Sequence, residues 1–209
     1  MTDALRYLKK ILKEILNLVF PLSYDEEIAR QISHEELKKR LAVRAAPEAT
    51  ALFPYRDDVI RALLWQLKYK NDTRSAQLFG KMLAEMYLQT LSGKYALAPI
   101  PLSKQRIRER GYNQVSRVAH IAVQTVPHIT IAEDLLIRTK DTPRQTDLPR
   151  AQRLENLGGA FAVPDSKKVI GERIILLDDI ITTGATLGEA KKTLLEAGAE
   201  EVRCVALGY

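Results

Sequence analysis

The chain has 209 residues, 46% of them apolar and 28% charged, with 32 Lys+Arg against 26 Asp+Glu for a net charge of +6. That length and apolar share fit one full globular domain plus an appendage and exclude a disordered chain. The single cysteine, Cys204, sits in an apolar run, which excludes a disulfide framework and a Cys-rich zinc site and makes a reducing cytoplasm the expected location.

Residues Asp3 to Phe20 carry Leu5, Leu8, Ile11, Leu12, Ile15 and Val19 at helical spacing. Arg6, Lys9, Lys10, Lys13 and Glu14 interrupt them and exclude a signal-peptide core or a membrane span. Such a basic amphipathic helix is expected to pack on its own domain, with a membrane surface or a partner as the alternative. Ser23 with Glu26 and Ser33 with Glu36 read as capping boxes that open charged helices over residues 24–32 and 34–43. A helical appendage is therefore expected over residues 1–46, closed by Pro47, with the main domain over 47–209.

Ala49 to Phe53 reads as an edge strand before Pro54-Tyr55. Val59, Ile60, Leu63, Leu64 and Leu67 mark a helix that ends at Lys68-Tyr69-Lys70-Asn71-Asp72, and Leu78, Phe79, Met82, Leu83 and Met86 mark the next. Tyr95 to Leu102 is an apolar strand leading into a sharply basic loop, Ser103 to Gly111, with Lys104, Arg106, Arg108 and Arg110. A helix is expected from Asn113 to about Val126 and strand material over Ile129 to Ile137. From Arg138 to Arg153 the chain is polar, contains prolines and has almost no core residues. It reads either as a solvated loop or as a cationic lid able to close over an anionic ligand and exclude water.

The most informative stretch follows. Ile174 to Leu177 form an unbroken apolar run, suited to a central parallel strand covered on both faces. Asp178 and Asp179 come next, where open α/β sheets bind ligands beyond the carboxyl ends of their strands. Thr182, Thr183, Gly184, Ala185 and Thr186 make a small-residue turn, after which Leu187, Ala190, Leu194 and Ala197 recur at helical spacing until Gly198. Backbone N–H groups, a helix dipole and Thr hydroxyls at such a turn suit a phosphate. The carboxylates would repel that phosphate unless they face hydroxyls or a hard cation, a demand met by a ribose cis-diol with Mg²⁺ nearby. The plainer reading is a βα turn with an N-cap Thr beside a solvated strand end. The order strand, acidic pair, small-residue turn, helix favours the ligand site. Neither G-x-x-x-x-G-K-[ST] nor G-x-G-x-x-G after a strand occurs, so P-loop and dinucleotide readings have no support.

Ile175 to Thr186 resembles the 5-phosphoribosyl-1-pyrophosphate (PRPP) signature of type I phosphoribosyltransferases. Three further segments resemble the competence-linked ComF/GntX branch of that family, over roughly residues 50–209. They are Leu67-Lys68-Tyr69; Pro99-Ile100-Pro101-Leu102 with Arg110-Gly111-Tyr112-Asn113-Gln114; and Arg138 with Gln145, Arg153, Asn156 and Gly159-Ala160-Phe161. The resemblance implies an open, mainly parallel α/β sheet flanked by helices, a Rossmann-like architecture, with the helical appendage at its N-terminus. It implies a glycosyltransferase acting on PRPP with Mg²⁺, releasing pyrophosphate. Asp178 and Asp179 would then contact the ribose and possess a route to the Mg²⁺ carried by PRPP. Thr182, Thr183, Gly184, Ala185 and Thr186 would wrap the 5′-phosphate, Lys104, Arg106 and Arg110 would take the pyrophosphate, and Arg138, Gln145 and Arg153 would close the site. Many members carry a four-cysteine zinc module after a Phe-Pro pair; Phe20-Pro21 is present here and the cysteines are absent.

Three function classes follow: a PRPP-dependent transferase or PRPP-binding protein with an unspecified acceptor, a nucleic-acid-handling protein of DNA uptake that keeps the PRPP site as sensor or vestige, and a structural or regulatory protein without ligand. The last leaves Asp178-Asp179 beside the Thr turn unexplained. Single-stranded DNA, competence proteins and a second copy of the chain are the further partners to test. Tyr69, Tyr112 and Phe161 are the aromatics expected near the mouth of the site.

Overall fold

A computed structural model of the chain describes residues 24–45, 49–139 and 159–209. The expected helix over Asp3 to Phe20, Phe20-Pro21, the Ser23 capping box, Pro47 and the polar stretch holding Arg144, Gln145, Arg153 and Asn156 lie outside the described residues.

Two short helices come first, α1 (Tyr24–Gln31) and α2 (His34–Lys38). Ser33 opens α2 with a complete capping box, its hydroxyl accepting from Glu36 N while Glu36 reaches back to Ser33 N. This helix is shorter than the expected 34–43, because the chain turns back to pair: Ala42 N donates to Leu52 O at 3.0 Å, and β1 (Arg44–Ala45) lies antiparallel to β2 (Thr50–Phe53). That pairing also corrects the placing of β2, which has neighbours on both sides and is not an edge.

Helices α3 (Asp58–Tyr69) and α4 (Thr73–Met86) follow, N-capped by Asp57 and Asp72, whose carboxylates accept from backbone N–H groups that no earlier carbonyl can meet. β3 (Tyr95–Pro99) leads to α5 (Lys104–Arg110), α6 (Gln114–Val123) and β4 (Ile129–Ile131). The expected basic loop is thus a helix. No side chain of α5 is buried, so hydrophobic periodicity gave no signal; Lys, Gln, Arg and Glu are strong helix formers, and Ser103 and left-handed Gly111 (φ 77°) bracket them. The strand material expected over Ile129 to Ile137 divides between β4 in the main sheet and β5 (Ile137–Arg138), which pairs antiparallel with β6 (Phe161–Ala162) in a separate two-stranded sheet. β7 (Arg173–Ile180), α7 (Ala185–Glu196) and β8 (Glu201–Gly208) complete the described elements.

The main sheet has the order β1-β2-β8-β7-β3-β4, and all its pairings except β1 with β2 are parallel. Alternation along β7 builds two cores. Ile175 and Leu177 pack with Leu97, Val205 and Leu207 under α3, α4 and α6, while Ile174 and Leu176 pack with Ala98, Cys204 and Ala206 under Leu187, Ala190 and Leu194 of α7. Each buried Ile, Leu or Val there stabilises the fold by about 1.5–3 kcal/mol, which is why a two-sided strand reads as a continuous apolar run. The chain leaves β3 toward β4 on one side and leaves β7 toward β8 on the other. The crossovers therefore diverge between β3 and β7, and a crevice opens past their carboxyl ends.

Candidate functional site

The acidic pair occupies the last residues of β7, and the pleat sends its members to opposite faces. Asp179 continues the row of Ile175 and Leu177 toward α3 and α6. It is 9% exposed, and its Oδ2 accepts from Gln114 Nε2 at 2.6 Å and pairs with Lys68 Nζ at 3.1 Å. Asp178 points to the other face, with Oδ1 accepting from the Asp179 backbone N–H at 2.8 Å. Burial first, then the neighbouring Asp179 charge, push the Asp178 carboxyl up to about 7, against the opposing pull of that backbone bond and of the Lys68 and Arg138 charges.

Past β7, Ile181 N donates to Gly208 O at 2.8 Å and the chain leaves the sheet. Gly184 sits at the N-cap of α7 with φ 77°, and no side chain caps that helix, although Ala185 N approaches Thr183 Oγ1 at 3.4 Å. The turn holds a recess of about 10 Å³ lined by Thr182, Thr183, Gly184, Ala185 and Thr186 together with Asp178. It shares Asp178, Thr182 and Thr186 with a cleft of about 770 Å³. A cleft of that volume is within the range of small-ligand sites.

Among the residues expected at the site, Asp178, Asp179, Thr182, Thr186, Arg106, Arg110 and Arg138 all line this cleft. Thr183, Gly184 and Ala185 line the recess. Lys104 is exposed on the first turn of α5 and is absent from the lining. Arg138 reaches the cleft from β5 with its guanidinium 5.5 Å from the Phe161 ring. Gln145 and Arg153 lie outside the described residues.

The segment Arg110 to Gln114 holds the two sides of the cleft together, one residue at a time. Arg110 donates to Gln114 Oε1 at 2.8 Å, which orients the amide whose other end meets Asp179. Gly111 ends α5. The Tyr112 hydroxyl donates to Leu67 O at 3.0 Å and accepts from Asn71 N at 2.8 Å, so the end of α3 is tied to this turn. Asn113 caps α6 through Oδ1 and donates from Nδ2 to Ile100 O at 3.0 Å. Sequence reasoning singled out these residues by resemblance but gave no role to Lys68 or Gln114. It also passed over Trp65 and Tyr55, which line the cleft beside Tyr69. Lys68 in the last turn of α3 looks like an ordinary C-terminal cation, so nothing local marks it as a partner of Asp179.

Among the described residues no group of three or more His, Cys, Asp or Glu could hold a metal ion, and no helix is long and apolar enough to cross a membrane. The phosphoribosyl transferase domain family matches residues 72–209. Competence protein F of Haemophilus influenzae is 35% identical over 111 residues, covering 52% of this chain and 47% of that protein. Competence protein ComFC of Bacillus subtilis is 32% identical over 143 residues, covering 68% of this chain and 56% of that one. The DNA utilization protein YhgH of Escherichia coli K12 is 27% identical over 146 residues, covering 68% and 63%. The chain thus spans about half the length of the first two relatives.

Proposed function

This chain belongs to the phosphoribosyltransferase family, in its ComF branch, and on that premise we propose that the cleft binds PRPP and transfers its phosphoribosyl group to an acceptor with release of pyrophosphate. One observation carries the reading: the acidic pair and the Thr182–Thr186 turn face a shared concavity, so a diol and a phosphate of one small molecule can be met together. The 5′-phosphate sits against the Thr182–Thr186 turn at the mouth of the recess, where backbone N–H groups and the start of α7 favour an anion. Asp178 and Asp179 orient the ribose, Arg106 and Arg110 meet the pyrophosphate, and Arg138, Gln145 and Arg153 close over it, with Lys104 held back at the rim.

Mg²⁺ fits this site as a passenger of PRPP, because two adjacent carboxylates are too few for an all-protein cage and suit a cation that keeps phosphate and water ligands. When bound, it would neutralise charge on the pyrophosphate. Asp178 would be the carboxylate to meet it, since Asp179 is engaged by Lys68 and Gln114. Loss of pyrophosphate from the ribose C1 develops positive charge on the ring, and two fixed carboxylates favour that state without a covalent nucleophile. A reducing cytoplasm suits the chain, whose single cysteine is free and buried.

Calorimetry with PRPP and Mg²⁺ tests the proposal. A dissociation constant in the micromolar range, about −8 kcal/mol, is expected. Absence of heat and of any thermal shift at millimolar PRPP overturns it. A second reading, handling of DNA, draws on the relatives named for competence and DNA utilization and on an aromatic pair exposed in the cleft wall.

A further inference from the structure

Trp65 and Tyr69 stand four residues apart on α3, on the face turned away from Leu63, Leu64 and Leu67 of the core. They are 37% and 56% exposed, and their rings lie 5.5 Å apart at 47°. Single exposed aromatics are ordinary. This pair differs in three respects. Both rings line the 770 Å³ cleft together with Tyr55, itself exposed. Each carries a cation: Lys70 Nζ lies 5.8 Å from the Trp65 centroid and the Arg110 guanidinium 5.3 Å from that of Tyr69. Arg106 adds a third positive charge along the same wall. Two acidic groups are near: Glu26 pairs with Lys70 at 3.7 Å, and Glu109 accepts from Gln105 Nε2 at 2.7 Å. The wall keeps a cationic excess around two flat apolar faces.

We propose that the Trp65–Tyr69 pair with Lys70, Arg106 and Arg110 is a docking surface for a single-stranded polynucleotide, whose bases stack on the rings while its phosphates meet the cations. Flat rings interleaved with cations answer the two recurring features of such a strand and nothing in a duplex, whose bases face inward. The aromatics expected from sequence change accordingly. Phe161 is buried beneath Arg138 and Tyr112 spends its hydroxyl on the end of α3, so Tyr69 is kept and Trp65 replaces the other two. The surface rests on the DNA-handling reading and deepens it; it shares Arg106 and Arg110 with the PRPP assignment, but its rings do not depend on that ligand, so it survives if PRPP gives no heat.

Trp65 is the chain's one tryptophan, so its fluorescence reports on the surface directly. Titration of the full chain with dT12 is expected to give saturable quenching. Affinity should fall with salt at a log–log slope of roughly 2, as three neutralised phosphates require at about 0.7 each. Anisotropy with labelled dT12 should show Tyr69→Leu and Trp65→Leu weaker by roughly 5- to 100-fold, the loss of one stacked base, with affinity restored in Trp65→Phe. Both positions are exposed, so thermal unfolding should match the wild type. A rU12 arm tells which sugar is preferred, and quenching by either supports the platform. The proposal is overturned if neither strand quenches, if polyphosphate quenches equally, if a duplex binds as tightly, or if the Leu variants bind like the wild type.

Discussion

Gln114 donates its side-chain amide to Asp179 Oδ2 at 2.6 Å while its carbonyl accepts from Arg110 at 2.8 Å, so one amide ties the basic helix α5 to the acidic end of β7. Both ends of the amide are committed, which fixes its orientation. Gln114→Leu removes both bonds and should weaken PRPP binding about tenfold or more, since a hydrogen bond to a charged group is worth about 1.5–3 kcal/mol. Gln114→Glu should do worse, because it sets a like charge against Asp179. Calorimetry on the two variants checks the order; equal loss in both would show that orientation, and not charge, is what Gln114 contributes.

Asp178 makes the stability of the ligand-free protein depend on pH. Its carboxyl is raised by burial and by the Asp179 charge up to about 7, so the folded state holds its proton more tightly than the unfolded chain does. The sign follows: the stability from this group is complete below the usual carboxylate range and is lost as pH rises through about 7. Asp178→Asn should therefore stabilise the free protein at pH 8 by about 1–2 kcal/mol, a tenfold difference in proton affinity between the two states being worth about 1.4 kcal/mol. At pH 4 the change should be near zero. Denaturant unfolding at the two pH values measures the difference, and the same variant should lose PRPP affinity.

Gly184 carries φ 77° at the start of α7 and lies buried in the turn. Gly184→Val demands a left-handed β-branched residue, costing about 1–2 kcal/mol or more, and crowds the recess. The expected result is a folded protein that no longer binds PRPP. Retained PRPP affinity in a folded Gly184→Val protein would place the phosphate elsewhere.

At Gly80 helix α4 meets α6 with no room for a side chain. A Cβ there would lie 2.6 Å from Ile121 Cγ2, 2.7 Å from Ile121 Cβ and 3.1 Å from Val118 O, and neither that Cβ nor the backbone oxygen can step aside. Gly80→Ala should destabilise the fold by about 1–3 kcal/mol despite its better helix propensity, and Ile121→Ala in the same chain should recover little of the loss, because the Ile121 Cβ stays in place. Thermal unfolding of the single and double variants reads this, with PRPP affinity unchanged in both.

The cradle was legible because its parts are contiguous. A strand buried on both faces must be continuously apolar, so Ile174 to Leu177 announced β7. The two carboxylates, the Thr-Gly turn and the α7 periodicity then followed within twenty residues. The capping box of α2 and the apolar stripes of α3, α4 and α6 were legible for the same local reason. Helix α5 was not, because it buries no side chain and hydrophobic period has nothing to report; propensity and its two caps decide it. Nor could local pattern pair Lys68 or Gln114 with Asp179, place Lys104 outside the cleft while Arg106 and Arg110 line it, or set Trp65 beside the site. Those relations depend on crossovers that diverge between β3 and β7 and bring the ends of α3, α5 and α6 to one mouth. Only the folded sheet creates that neighbourhood, since side chains distant in sequence meet where strand order, and not spacing, puts them.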